Sequence, residues 1–320
     1  MSSKKEVNYG VPQGSILGPL LFSMYVNDMS KVVADCDLVQ YADDSQYIFS
    51  GSPNNVKAIT DHAEYIMSRA KHYFDSNGLK VNPQKTQAIF VGSRQNIAKI
   101  PVDTRINFDG NLIEPTCQVK NLGVVFDNYM TFDKHIDEIR RKTIGSLIYL
   151  NNIKNKIDKE TRIMLVQSLA MSKVDYCFKI WGSTGITQIQ RIQKLQNFAA
   201  KIAIGNVKKY DHVTPCIREL KWLRIEEKYK YELCVLMYRR VNGLAPEMLI
   251  PLTPVYSVSH ASTRQSNDFY ISISRTDLGS RELAKSCPRL WNTLPREIRE
   301  VTTLTSFKRK LKEYFLVTRD

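Results

Sequence analysis

Two adjacent carboxylates, Asp43 and Asp44, follow Tyr41-Ala42 between two short β-prone runs, Leu38 to Tyr41 and Ser45 to Phe49. This pattern predicts a hairpin with both acids at its tip. Neighbouring carboxylates repel each other, and a fold tolerates them when a cation neutralises the charge. Magnesium takes oxygen ligands and keeps several waters, so carboxylates at a turn suit it when a substrate phosphate supplies the rest. In phosphoryl transfer, one such ion activates the attacking hydroxyl and a second steadies the leaving oxygen. Taken alone, the same four residues also describe an exposed acidic β-turn, because Asp is a common turn residue.

The elements around the turn come in a definite order. Gly10-Val11-Pro12-Gln13-Gly14-Ser15 reads as a tight polar turn leading into Ile16 to Met29, apolar enough for a buried helix. Ser15 is placed to cap that helix, and Pro19 would sit in its first turn. Downstream, Val56, Ile59, Ala63, Ile66, Ala70 and Phe74 share one face of a helix over Asn54 to Ser76, which Asn77-Gly78 stops. Gln87 to Val91, Arg105 to Phe108, Leu112 to Glu114 and Val119 to Phe126 are strand candidates, with Asp109-Gly110 marking a hairpin turn. The succession predicts an α+β fold, an antiparallel sheet with helices on one face. Residues 131–205 read as all helix: Asp133 to Asn151, Lys159 to Cys177 and Thr187 to Ile204. In the last, Ile189, Ile192, Leu195, Phe198 and Ile202 form an apolar stripe expected to pack in a core. Residues 206–320 contain a helix over Ile225 to Val241, ended by Asn242-Gly243. A Ser/Thr/Pro-rich loop with short strands is expected over 250–280, then a final helix over Ser306 to Leu316.

Composition narrows the function classes. Hydrophobic residues make up 43% of the 320, enough for a sizeable core. No stretch approaches the roughly 20 apolar residues that cross a bilayer, and the first eight residues lack an apolar signal core. An intracellular, soluble protein is expected, in nucleus or cytoplasm. The six cysteines and five histidines are scattered without ligand spacing, which predicts neither structural zinc nor a disulfide framework. Residues 1–130 hold 12 Lys+Arg against 13 Asp+Glu, a net of −1. Residues 131–320 hold 34 against 19, a net of +15. A basic half of this kind suits a polyanion, nucleic acid first, and equally a solubilising surface.

The Asp-Asp turn has companions. The Gly10 to Pro19 segment stands about thirty residues upstream and Asn82-Pro83-Gln84-Lys85-Thr86 about forty downstream, followed by Asn121-Leu122-Gly123-Val124-Val125-Phe126-Asp127. In this order and spacing the four elements closely resemble the palm of reverse transcriptases of non-LTR (LINE-type) retrotransposons. Lys221-Trp222-Leu223, Tyr238 to Pro246 and Leu290-Trp291-Asn292-Thr293-Leu294-Pro295 resemble a C-terminal pattern of the CR1, L2 and Rex-like branch.

The resemblance implies an RNA-directed DNA polymerase that uses Mg2+ or Mn2+ held by Asp43 and Asp44. It implies an RNA template, a DNA primer or target, and deoxynucleoside triphosphates. Tyr41 would face the primer end or template. Gly10, Pro12, Gln13 and Gly14 would line the pocket for template base and nucleotide, and glycine there lets backbone approach a base. Lys85 would stand near the nucleotide phosphates as a charge or proton donor. Leu122 and Gly123 would sit in the hairpin that grips the primer. Residues 1–130 would then be a partial palm, 131–205 a helical thumb-like region, and 206–320 a basic C-terminal region. Trp222, Tyr229, Tyr231 and Tyr238 lie among Lys and Arg, compatible with base stacking but more in keeping with core aromatics.

The family's palm carries a further acid on a strand before the Gly-Val-Pro-Gln-Gly turn, and the nine residues ahead of Gly10 hold only Glu6. The expectation is a polymerase fragment whose N-terminal half, with the fingers, is a missing partner, and which does not extend a primer alone. The alternative is a non-catalytic remnant that holds nucleic acid through residues 131–320.

Overall fold

The computed structural model describes residues 14–208, 210–258 and 268–318. The chain divides into two compact units, Met1–Val119 and Lys120–Asp320. Among the described residues no helix is long and apolar enough to cross a membrane.

The first unit is built on one long helix. Helices α1 (Gly18–Tyr25) and α2 (Met29–Val32) lead into strands β1 (Asp37–Tyr41) and β2 (Asp44–Ile48), then into α3 (Val56–Ser76). A short α4 (Arg94–Ile97) precedes β3 (Ile106–Phe108) and β4 (Asn111–Ile113). The apolar face of α3 does the organising. Ile66 and Ala70 pack with Met29 and Val33, and Leu38, Tyr47 and Phe49 close on that cluster. Met67 joins Ile106, Phe108 and Ile113 in a second cluster. The α3 stop follows the expected chemistry: Gly78 takes φ +68 and the Leu79 N–H reaches back to the Phe74 carbonyl at 2.8 Å.

Four expectations for the chain up to Asp127 need correction. Ile16 to Met29 is two helices separated by a turn at Val26–Asp28. Only Gly18 of α1 is buried, while Ile16 (95% exposed), Leu20 and Met24 face outward. Apolarity announced a helix that wants cover, and none of the described residues covers it. Gln87 to Val91 is extended but joins no strand, although the Ala88 carbonyl accepts from Thr116 N–H at 2.8 Å. Val119 to Phe126 is two strands, β5 (Gln118–Asn121) and β6 (Val124–Asp127), with Leu122-Gly123 between them. A single sheet does not form: each hairpin, β1–β2, β3–β4 and β5–β6, is its own two-stranded sheet. Two strands are marginal by themselves, and α3 stabilises the first two pairs by packing. The α+β class stands.

The second unit is helical after its hairpin: α5 (Asp133–Ile153), α6 (Lys159–Leu165), a π turn over Val166–Met171, α7 (Ser172–Asp175), α8 (Phe178–Trp181), α9 (Ile186–Ile204), α10 (Thr214–Glu219) and α11 (Ile225–Val241). Then come α12 (Val255–Val258), α13 (Asp277–Ser280), α14 (Leu283–Thr293), α15 (Arg296–Arg299) and α16 (Leu304–Val317). The helix expected over Lys159 to Cys177 is thus broken by the π turn and ends at Asp175. Ser168 Oγ donates to the Met164 carbonyl at 2.8 Å there, a back-bond that competes with the regular ladder. Ile189, Ile192, Leu195 and Ile202 are buried as the stripe predicted. Arg162 closes the end of α9. Its guanidinium donates to the carbonyls of Ala203, Ile204, Lys154 and Ile157 at 2.8–3.3 Å, and Gly205 leaves the helix at φ +100.

A second core, drawn from residues between Tyr229 and Phe315, centres on Tyr238, which stacks on Phe307 at 4.3 Å beside Trp291. Asn292 clamps Phe269 through both its backbone N–H (3.1 Å) and its carbonyl (2.8 Å). Burial pushes the Tyr229 phenol up to about 12 and raises that of Tyr231. These tyrosines and the half-buried Trp222 therefore pack in cores rather than offering rings to bases. The short strands expected over 250–280 reduce to one bridge, Pro254 to Phe269, among the described residues.

Candidate functional site

The register of the first hairpin decides where the acids go. Tyr41 pairs with Asp44, leaving Ala42 and Asp43 as a two-residue turn. Directly opposed residues share a face. Asp37, Val39 and Tyr41 therefore lie with Ile48, Gln46 and Asp44 on one side, and Leu38 and Gln40 with Tyr47 and Ser45 on the other. The second side is anchored. Burial raises the Tyr47 phenol to about 12, and Gln40 donates to Ser45 Oγ at 3.4 Å. The first side is open: Tyr41 is 64% exposed and Val39 47%. Asp44 stands on that open face, and Asp43 projects from the turn beside it, also exposed.

Ala42 holds the turn at φ +51, a left-handed conformation that costs an L-residue about 1 kcal/mol. Such strain gathers at sites where a side chain must be presented in one way. The Asp43 and Asp44 carboxylates make no hydrogen bond or ion pair with any described residue, while the Asp44 backbone pairs with Tyr41 in the ladder. Among the described residues no group of three or more His, Cys, Asp or Glu side chains is gathered. The donor set therefore fits a hard divalent cation only as two exposed carboxylates, the form in which magnesium shares its shell with water and substrate phosphate. It does not form an all-protein cage.

Lys85 ends a 3-10 turn over Pro83–Lys85, set by the Asn82 side chain accepting from Gln84 N–H at 3.0 Å. Asn82, Pro83 and Gln84, with Lys80, Val81 and Asn111, line a shallow cavity of about 460 Å3. Lys85 is exposed next to that cavity and bonds to neither acid. Gly14 takes φ +84 with open space where a Cβ would be; Ser15 Oγ accepts from Gly18 N–H at 3.0 Å, but the N-cap of α1 is Leu17 rather than the expected Ser15. Gly10, Pro12 and Gln13 lie outside the described residues.

Leu122 (φ +44) and Gly123 (φ +84) make the tight turn of β5–β6, both left-handed as a type I′ turn requires. The motif's last residue, Asp127, escaped the sequence reading. It is buried, and its carboxylate accepts from the N–H groups of Tyr129 (3.0 Å), Thr131 (3.0 Å) and Phe132 (2.7 Å) and from Thr131 Oγ1 (3.1 Å). It braces the approach to α5, where Met130 and Phe132 are left-handed. The signal was present as an acid shortly before a helix start, but the apolar strand residues around it masked its bracing of the loop.

A family model described as reverse transcriptase (RNA-dependent DNA polymerase) matches residues 2–126, the span that holds the Asp-Asp turn and ends at β6. A probable RNA-directed DNA polymerase from transposon BS of Drosophila melanogaster is 29% identical over 77% of this chain and 28% of its own length. Residues 2–126 match the reverse transcriptase family, and the chain is similar to polymerases of LINE-type elements. An RNA-directed DNA polymerase from the mobile element jockey of Drosophila melanogaster is 24% identical over 61% of the chain and 22% of its own length. A Pol polyprotein from the type-1 retrotransposable element R1 of Bradysia coprophila is 23% identical over 57% and 18%. The chain thus spans under a third of the length of these reverse transcriptase relatives. No solved structure matches it.

Proposed function

We propose that this chain supplies the metal-binding turn, primer-contacting hairpin and helical region of an RNA-directed DNA polymerase, of the CR1/L2/Rex-like branch by its C-terminal pattern. The observation that carries the reading is the strained Ala42 turn, which presents Asp43 and Asp44 exposed and unpaired inside the segment that matches the family. In this reading Asp43 and Asp44 hold Mg2+ or Mn2+, which when bound supplies charge to the nucleotide phosphates and to the attacking primer hydroxyl. Tyr41, on the same open face as Asp44, faces the primer end or template. Gly10, Pro12, Gln13 and Gly14 line the nucleotide pocket. Lys85 neutralises phosphate charge or hands a proton to departing pyrophosphate. Leu122-Gly123 contacts the primer, and residues 131–205 act as the thumb on an RNA–DNA hybrid.

Two carboxylates offset the repulsion between two metal ions less well than three. We therefore propose that residues 1–320 by themselves do not extend a primer. Primer extension on an RNA template with Mg2+ or Mn2+ tests this directly. No incorporation is expected from the 320-residue chain. Joined to the upstream polymerase portion of the transposon BS relative, it is expected to support incorporation that Asp43→Asn abolishes. Asp43-dependent extension by the unfused chain would overturn the incompleteness.

The charge supports a second reading, a nucleic-acid-binding remnant, because all the excess positive charge falls in residues 131–320. Under that reading hybrid binding falls steeply with salt and is indifferent to Asp43→Asn.

A further inference from the structure

The Leu122–Gly123 turn is held from outside its own hairpin. The Tyr176 phenol donates to the Leu122 carbonyl at 2.6 Å. The Tyr176 ring also closes on Gly123, where an added Cβ would lie 3.2 Å from Cε1 and 3.5 Å from the phenol oxygen. Glycine is thus required twice at 123, by φ and by this ring.

Tyr176 is itself fixed. It follows α7, the chain turns at Cys177 (φ +51), and the Tyr176 carbonyl accepts from Trp181 Nε1 at 2.9 Å. Trp181 is fully buried and meets the His135 ring edge-on at 5.8 Å. His135 completes a loop, its Nδ1 accepting from Val125 N–H at 3.4 Å. Leu122 and Val125, which flank Gly123-Val124, are therefore each tied to the helical body, and both ties run to one indole. A type I′ turn needs neither tie to form. An exposed tyrosine (53%) whose hydroxyl is committed to a turn carbonyl constrains where that turn sits.

We infer that Tyr176 is a positioning residue: it sets the orientation of the Leu122–Gly123 turn against the helical body, and through it the hold on a primer strand. The second half rests on reading that turn as primer-contacting; the first does not.

The test is Tyr176→Phe in the full chain, which keeps the ring and deletes the donor. Amide hydrogen exchange over residues 121–125 reads the turn. Fluorescence anisotropy of an RNA–DNA template–primer hybrid reads the hold. Exchange about fivefold faster is expected, with a hybrid Kd three- to tenfold weaker and an unchanged unfolding midpoint, as the loss of one exposed hydrogen bond implies. Gly123→Ala, which pushes the ring away and strains the backbone at φ +84, is expected to speed exchange and weaken binding more strongly, and also to lower the unfolding midpoint. Unchanged exchange in Tyr176→Phe overturns the inference. Faster exchange with unchanged affinity, or faster exchange in a chain whose wild type binds no hybrid, supports the positioning and overturns the primer reading. Weaker affinity with unchanged exchange also overturns it, because Tyr176 then touches the nucleic acid itself.

Discussion

Asp127→Asn tests whether the acid that ends the Asn121–Asp127 motif is structural. The side chain is buried and serves four donors, two on each carboxylate oxygen. Asparagine keeps one acceptor oxygen and turns an NH2 toward the other two donors. Each buried donor left without an acceptor costs about 1–3 kcal/mol, and two donors lose theirs here. Relief from burying a charge offsets part of this. A net loss of about 3 kcal/mol is expected for the Lys120–Asp320 unit. All three tryptophans, Trp181, Trp222 and Trp291, lie in that unit, so their fluorescence follows its unfolding alone. With a urea slope of about 2 kcal/mol/M, the midpoint should fall by about 1.5 M. A shift worth under about 1 kcal/mol would refute the bracing role.

Other outcomes follow from the same packing. His135 is buried, with its Nδ1 accepting from Val125; desolvation chiefly lowers its pKa from the ordinary 6.5, Lys142 and Lys120 add to this, and Glu138 opposes it. The unfolded chain then binds the proton first, so stability of the second unit is full above about pH 6.5 and falls as pH drops below it. Urea midpoints between pH 7.5 and 5 check this, and His135→Gln should flatten that part of the profile. Gly205→Ala puts a Cβ 2.7 Å from the Arg162 guanidinium at φ +100, and a loss of about 2 kcal/mol is expected by urea unfolding. Gly145→Ala, in α5 with open space around it, should instead add about 0.5–1 kcal/mol in the same assay.

Helices were the legible part of this sequence. The α11 bounds match the expectation residue for residue, and Asn77-Gly78 and Asn242-Gly243 stop their helices where backbone must turn left-handed. Asp109-Gly110 likewise made its turn. These signals are local, so the sequence shows them. Strands were less legible because a strand exists only through its partner: Gln87 to Val91 has the propensity and lacks the ladder. The split of Ile16 to Met29 and the π turn at Val166–Met171 depend on packing that periodicity does not encode. At the candidate site, the hairpin with Asp43 in its turn was readable from two β-prone runs, whereas Asp44, expected at the tip, instead opens β2 opposite Tyr41. The strain at Ala42, the bracing by Asp127 and the Tyr176 contact were not, since each arises from pairings across the fold.

The central claim is that Asp43 and Asp44 form a divalent-metal turn. Paramagnetic broadening of backbone amide signals by Mn2+, with deoxynucleoside triphosphate and template–primer present, tests it most directly. The account predicts broadening centred on residues 41–45 that disappears in Asp43→Asn/Asp44→Asn. Broadening centred elsewhere, or unchanged in that double variant, would contradict it.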